Sequence, residues 1–371
     1  MTTNSEKALK DLYTDVNDSH MFPFWATTTE VEHDEVKQLM ATPGAIPYVW
    51  SYDRTIGPLL KRSADLISTL ESERRSLILI NPALKPRRAT VSTMYTAYRL
   101  NDPNEVMPPH RHSPNAIRFG LTGTQNFTGV EGEDIVFGPG DMVLTPHDTW
   151  HNHGNKGNEP AINLSVLDLP LVETLNAIYF EHDYKEDDEK KKEQSARFDP
   201  EYSRRIYGRG GLKPRFVSHD RGTGAASPMY VYRYDMMREC LEDHKDHEGD
   251  PYNGLRVEYI DPMNGEPVFK TITFFAQMLR PGERTLPLKQ TASQLIAPFE
   301  GPAGYSIVDG KRHDWSRFDT FAVPGGCWVE HVNDTNEPIV LFVASDEPTL
   351  SKLGLLKQWG RDASGDTVRL T

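Results

Sequence analysis

The sequence predicts a mainly β protein made of two copies of one small antiparallel barrel, the first copy equipped to hold a metal. Three observations carry this. His110-Arg-His112 and His151-Asn-His153 stand on either side of a series of turn signals; alternate side chains of a strand share a face, so His110 and His112 converge while Arg111 points away. Leu121-Thr-Gly123, Gly138-Pro-Gly-Asp141 and Pro146 fold the intervening segments back, which lets His151 supply a third nitrogen. The chain also repeats itself. Gly140 to His153 is echoed by Phe318 to His331 with Asp, Pro, Trp and the final His in step, and Pro108 to His112 is echoed around Thr285 to Gln290. In the echo Leu288, Gln290 and Val329 stand for His110, His112 and His151, so the second copy has lost the metal ligands.

At 371 residues the chain exceeds one ordinary core, and 27 Gly and 27 Pro break it into short segments, so two domains are expected. Their expected bounds are 1–181 for an N-terminal helical segment plus the metal-binding barrel, 182–194 for a charged linker, and 195–371 for the metal-free barrel. A net charge of −13 argues against a nucleic-acid or anionic-membrane surface. The start has no basic end followed by an apolar run, and no stretch approaches a bilayer span, so a soluble cytoplasmic protein is expected. Two cysteines, Cys240 and Cys327, are too few for a disulfide framework.

Element by element, Ser5 to Val16 carries one apolar helical stripe with Ser5 as its cap. Asp53 to Ile67 predicts a second helix with Leu59, Leu60, Ala64 and Ile67 on one face. Leu77 to Ile80 reads as a buried strand with Arg74 and Arg75 solvated at its mouth, and Val91 to Leu100 as the strand leading to the histidines. The stretch from His182 to Gln194 has mixed charge and almost no apolar content, which suits a linker. Arg204 to Lys213 is basic and Gly-rich but lacks the helix cue of a phosphate loop. Tyr230 to Glu242 reads as strand turning to helix, and short β segments return from Leu255.

Imidazole suits Fe, Zn, Cu, Ni and Mn. Pro114 to Ile117 offer no carboxylate after the second histidine, so the ligands are three neutral rings that leave a divalent ion its full charge. That favours a chelating dianion, a carboxylate beside an ionised phenol, with O2 alongside a redox metal. Strand parity turns Ala116, Arg118 and Gly120 inward, and an inward guanidinium needs an anion that its planar fork can grip. The competing reading of Arg118 is a structural salt bridge. His153 shares the parity of His151 and suits hydrogen bonding to ligand, substrate or oxygen, and its echo at His331 gives it a structural part as well. With 13 histidines in the chain an isolated His-x-His means little, and His147, His244, His247 and His313 are expected in solvent.

On His110-Arg-His-Ser-Pro-Asn-Ala-Ile-Arg-Phe119, Leu144-Thr-Pro146, Trp150-His-Asn-His153 and Leu167-Asp-Leu-Pro170, the chain resembles the bicupin ring-cleaving dioxygenases of the gentisate 1,2-dioxygenase and salicylate 1,2-dioxygenase family. The resemblance implies two double-stranded β-helix (jelly-roll) barrels with short N-terminal and connecting helices. It implies Fe(II) on His110, His112 and His151, a small aromatic hydroxy-acid and O2 as substrates, and a homotetramer. Gentisate would yield maleylpyruvate. The same resemblance gives Arg118 and Arg74 roles at the substrate carboxylate, Phe180 an aromatic pocket position, and His153 a polar role beside the metal. Tyr95, Arg99 and Ser165 depart from the family's usual Trp, Gln and Asp, which shifts attention to other salicylates and 1-hydroxy-2-naphthoate. A Zn or Mn isomerase or hydrolase, and a binding or storage protein without chemistry, are the rival readings.

Overall fold

The computed structural model describes residues 3–21, 44–67, 75–182, 198–219 and 221–371. Arg74, and the expected linker beyond His182, lie outside the described residues. The chain divides into a unit of residues 1–44 and a unit of residues 45–371. The first contributes the helix Thr3–Asp18, which starts ahead of Ser5 and so places that serine in the first turn instead of at the cap.

In the second unit the helix expected over 53–67 opens with a π-helical turn, Tyr52–Ile56, whose leading Ser51 Oγ accepts from the Arg54 amide at 3.4 Å. The α-helix Gly57–Leu66 follows. A wider turn rotates the side chains that come after it. The buried face therefore holds Ile56 and Leu60, while Leu59 and Ile67 are exposed.

Each barrel pairs a six-stranded antiparallel sheet with an opposing layer. In the first barrel the large sheet runs Val231–Tyr232, Met142–Thr145, Ala116–Thr122, Ala161–Leu167, Tyr95–Asn101, Ser76–Ile78. Opposite lie Glu133–Phe137, Asn126–Val130 and His151–Asn155, linked by the His110–His151 bridge to Arg111–His112 and Phe180–Glu181. The second barrel repeats this register: Leu288 pairs with Val329 as His110 does with His151, and Gln290 with Gln358 as His112 does with Phe180. The protein is thus mainly β, in the bicupin arrangement.

Strand membership does not follow sequence order. Tyr48–Trp50 joins the sheet of the second barrel through Thr320–Val323, and Val231–Tyr232 joins that of the first through Met142–Thr145. Hydroxyls exchange in the same way: Thr93 Oγ1 donates to Asp346 Oδ2 and Thr271 Oγ1 to Asp168 Oδ2, each at 2.5 Å. Each half of the chain therefore closes part of the other half's barrel.

The outer faces of the two large sheets share one core. Ile117, Phe119 and Leu121 meet Phe274, Phe299 and Phe342 there, with the Phe119 and Phe342 rings stacked at 4.1 Å. The second barrel's interior is filled by Phe275, Ile296, Val329, Leu341 and Val343, whereas the inward positions of the first line a cavity. Phe342→Ala is expected to lower the unfolding free energy by about 3–5 kcal/mol, because both barrels lose the same stack; urea denaturation followed by tryptophan fluorescence measures it. No helix among the described residues is long and apolar enough to cross a membrane.

Candidate metal centre

The strand parity assigned to Ala116–Thr122 is what the structure contains, with Ile117, Phe119 and Leu121 in the shared core and Arg118 on the cavity wall. Asp168 fixes the turn that aims this strand, accepting from the Asn115 amide at 2.8 Å and the Asn115 side chain at 2.9 Å. Burial raises the Asp168 carboxyl above the usual range despite these bonds. Asp346 does the same in the second barrel, accepting from the Ser293 amide at 2.7 Å.

Four buried histidines converge inside the first barrel. The ring of His151 lies 4.4 Å from that of His110, 4.7 Å from His112 and 5.1 Å from His153. Ring nitrogens of His110, His151 and His153 come within 4.8 Å of one another. Hydrogen bonding separates the four rings. Nδ1 of His110, His112 and His151 each meets a backbone carbonyl, of Pro108 at 3.2 Å, Pro114 at 2.9 Å and Thr149 at 2.8 Å. A neutral ring donating through Nδ1 carries its lone pair on Nε2, the usual arrangement of a metal-binding histidine. The buried Nε2 of His151 has no hydrogen-bond partner among the described residues. Burial, and then the neighbouring His110 and His112, hold the His151 ring well below the ordinary imidazole range.

His153 differs. A guanidinium only donates, so His153 Nε2 accepts from Arg118 Nη2 at 3.0 Å, and its Nδ1 then donates to Thr128 Oγ1 at 3.0 Å. Both nitrogens are engaged, and burial together with the Arg118 charge keeps the ring neutral. The echo at His331 keeps the hydroxyl partner, Ser306 Oγ at 2.8 Å, although Ile296 stands where Arg118 would be.

His110, His112 and His153 open onto a cavity of about 250 Å³ that Tyr95, Arg99, Arg118, Ser165 and Phe180 also line. Tyr95, with Ala97, Ala116, Leu167 and Leu169, forms an apolar wall. Ser165 pairs in register with both Ala97 and Arg118. Phe180 is 41 % exposed, at the mouth, its ring 5.4 Å from that of His112. Arg99 is buried, donating to Asn101 Oδ1 at 2.5 Å, with Glu105 at 3.6 Å. Arg75, expected in solvent, is buried as well and pairs with the same Glu105 at 2.5 Å and with Asp102 at 2.7 Å, so two carboxylates balance the two guanidinium groups. Sequence reasoning missed Glu105 and Arg88, the latter a rim cation held by Glu173 at 2.8 Å. The pair Arg87-Arg88 after Pro86 was the available signal. Of the histidines expected in solvent, His244 and His247 are exposed, but His147 and His313 are half-buried.

A second cavity, of about 240 Å³, lies beside the helix Tyr234–His244 and is lined by Met229, Met236, Met237 and Cys240, with no imidazole cluster. The chemistry belongs to the first cavity.

Comparison with known proteins agrees. Residues 100–167 match the cupin domain model. The chain is 33 % identical to gentisate 1,2-dioxygenase 1 of Aquipseudomonas alcaligenes over 353 residues, covering 95 % of this chain and 96 % of that one. It is 31 % identical to 5-aminosalicylate 1,2-dioxygenase of Comamonas sp, covering 98 % and 93 %. The crystal structure of salicylate 1,2-dioxygenase from Pseudaminobacter salicylatoxidans superposes with a TM-score of 0.81 at 25 % identity, over 95 % of this chain and 97 % of that one. With near-complete coverage on both sides and the same barrel pair, the chain belongs to the gentisate and salicylate 1,2-dioxygenase family of bicupin ring-cleaving dioxygenases.

Proposed function

We propose that this dioxygenase holds Fe(II) on His110, His112 and His151 and cleaves an aromatic 2-hydroxy acid, gentisate first among them, to maleylpyruvate. The observation that carries the reading is the hydrogen-bond division of the histidines. Three rings tie Nδ1 to backbone carbonyls, His151 Nε2 is buried without a partner among the described residues, and His153 is committed to Arg118 and Thr128. Bound ferrous iron supplies a Lewis acid for a chelating carboxylate and phenolate and exchanges electrons with O2.

The protein's own groups orient the ring and balance charge. Arg118 receives the substrate carboxylate and is kept in place by His153, so His153 acts on the substrate through that guanidinium. Tyr95, Leu167 and Phe180 confine the ring, Ser165 and Arg99 face its distal positions, and Arg74 is assigned to the carboxylate side on the family pattern. The family pattern also supports a cytoplasmic homotetramer. 1-Hydroxy-2-naphthoate and other salicylates are the alternative substrates, favoured by Ser165 and Arg99. Similarity includes a 1-hydroxy-2-naphthoate 1,2-dioxygenase of Nocardioides sp., at 30 % identity over 318 residues.

Oxygen uptake by the Fe(II)-loaded protein, measured with gentisate, salicylate, 5-aminosalicylate and 1-hydroxy-2-naphthoate, tests this. Uptake with gentisate at the highest kcat/KM is expected. Uptake with another member of the panel alone overturns the gentisate assignment, and equal turnover with Zn(II) overturns the redox role.

A further inference from the structure

Arg111 lies between two of the proposed ligands and points away from them, so the proposed chemistry gives it no task. Its Nε donates to Glu181 Oε2 at 2.5 Å, its Nη1 lies 3.4 Å from Asp148 Oδ1, and its guanidinium sits 5.2 Å above the Trp150 ring. Glu181 pairs in register with Arg111, and Phe180 with His112. The Tyr179 hydroxyl donates to the same Asp148 carboxylate. Backbone bonds close the unit: the Ser113 amide donates to the Tyr179 carbonyl at 3.3 Å and the Asp148 amide to the His112 carbonyl at 2.8 Å.

A ribbon of two residues on each side is too short to hold itself together in water. Phe180, the aromatic wall at the cavity mouth, depends on such a ribbon. Arg111 supplies what it lacks, a charge-assisted fork joining Glu181 to Asp148 on the solvent side while the histidines on either side face the metal site.

We propose that Arg111, with Asp148 and Glu181, is a positioning clamp that fixes the Phe180 strand against the ligand-bearing strand and so sets the wall of the substrate cavity. The proposal rests on the dioxygenase reading for its effect on substrate, but not for its effect on the strand. The test uses full-length, Fe(II)-loaded protein as wild type, Arg111→Gln, Arg111→Lys and Glu181→Gln. It reads hydrogen–deuterium exchange in the peptide spanning 178–182, iron content, and KM and kcat for gentisate.

In Arg111→Gln and Glu181→Gln the 178–182 amides are expected to exchange about two- to fivefold faster, the scale on which losing a half-exposed ion pair opens a local segment. KM should rise about fivefold with kcat within about twofold, as for lost uniform binding. Iron content should stay at the wild-type level, and Arg111→Lys should recover most of the protection. Wild-type exchange in both charge-removing variants overturns the clamp, and so does faster exchange with unchanged KM. Should Arg111→Gln fail to fold, Glu181→Gln at the surface carries the same test. If no hydroxybenzoate is turned over by the wild type, the dioxygenase reading fails, while the exchange measurement still decides whether the clamp exists.

Discussion

His151→Ala is expected to lose iron and turnover together. His151 sits between the other two proposed ligand rings, at 4.4 and 4.7 Å, and its Nε2 is a buried nitrogen with no hydrogen-bond partner among the described residues. Removing an outer hydrogen-bond partner of a metal site typically costs about 10- to 100-fold in affinity, and removing a ligand costs more. Iron after dialysis against a weak chelator should therefore fall to background, with kcat/KM down by more than about 100-fold. His153→Ala is the control. It should keep its iron, because both of its nitrogens already serve Arg118 and Thr128. Loss of iron in His153→Ala with retention in His112→Ala would move the ligand set to the other close cluster of His110, His151 and His153.

Arg118→Met should leave iron content unchanged and lower kcat/KM for gentisate by about 100-fold. A charged hydrogen-bonded pair is worth about 1.5–3 kcal/mol, and truncating one side in a desolvated site reaches the upper part of that range. Arg118→Lys should recover little, since an ammonium on a flexible stem neither forks onto a carboxylate nor reproduces the bond to His153 Nε2. Steady-state oxygen uptake with parallel iron analysis measures both variants. An effect on iron larger than on kcat/KM would make Arg118 a structural partner of the histidines and not a substrate group.

The barrels and the candidate site differ in how far the sequence exposes them. Period-two alternation placed His110, His112 and Arg118 on one face, and the echo of Asp141, Pro146, Trp150 and His153 disclosed the duplication, because both depend on local register. Alternation cannot separate His112 from His153 as a ligand, since both face inward. The distinction lies in Thr128, on a neighbouring strand, and in Pro114, whose carbonyl holds His112. The exchanged strands Tyr48–Trp50 and Val231–Tyr232 are equally out of reach, being too short to carry a pattern and paired with distant partners. Arg75 and Arg99 looked like a strand end and a pocket substitution respectively, and Glu105, which holds both, lies in a polar turn that resembles any solvated loop. Ion pairs of this kind are set by tertiary approach and leave no periodic trace.

The most direct test supplies oxygen-18 gas to the Fe(II)-loaded protein with gentisate and weighs the ring-opened acid. Ring cleavage by this family's chemistry predicts that both oxygen atoms of one O2 appear in the product. A product formed without O2, or one whose new carboxyl group carries no oxygen from the gas, would contradict it.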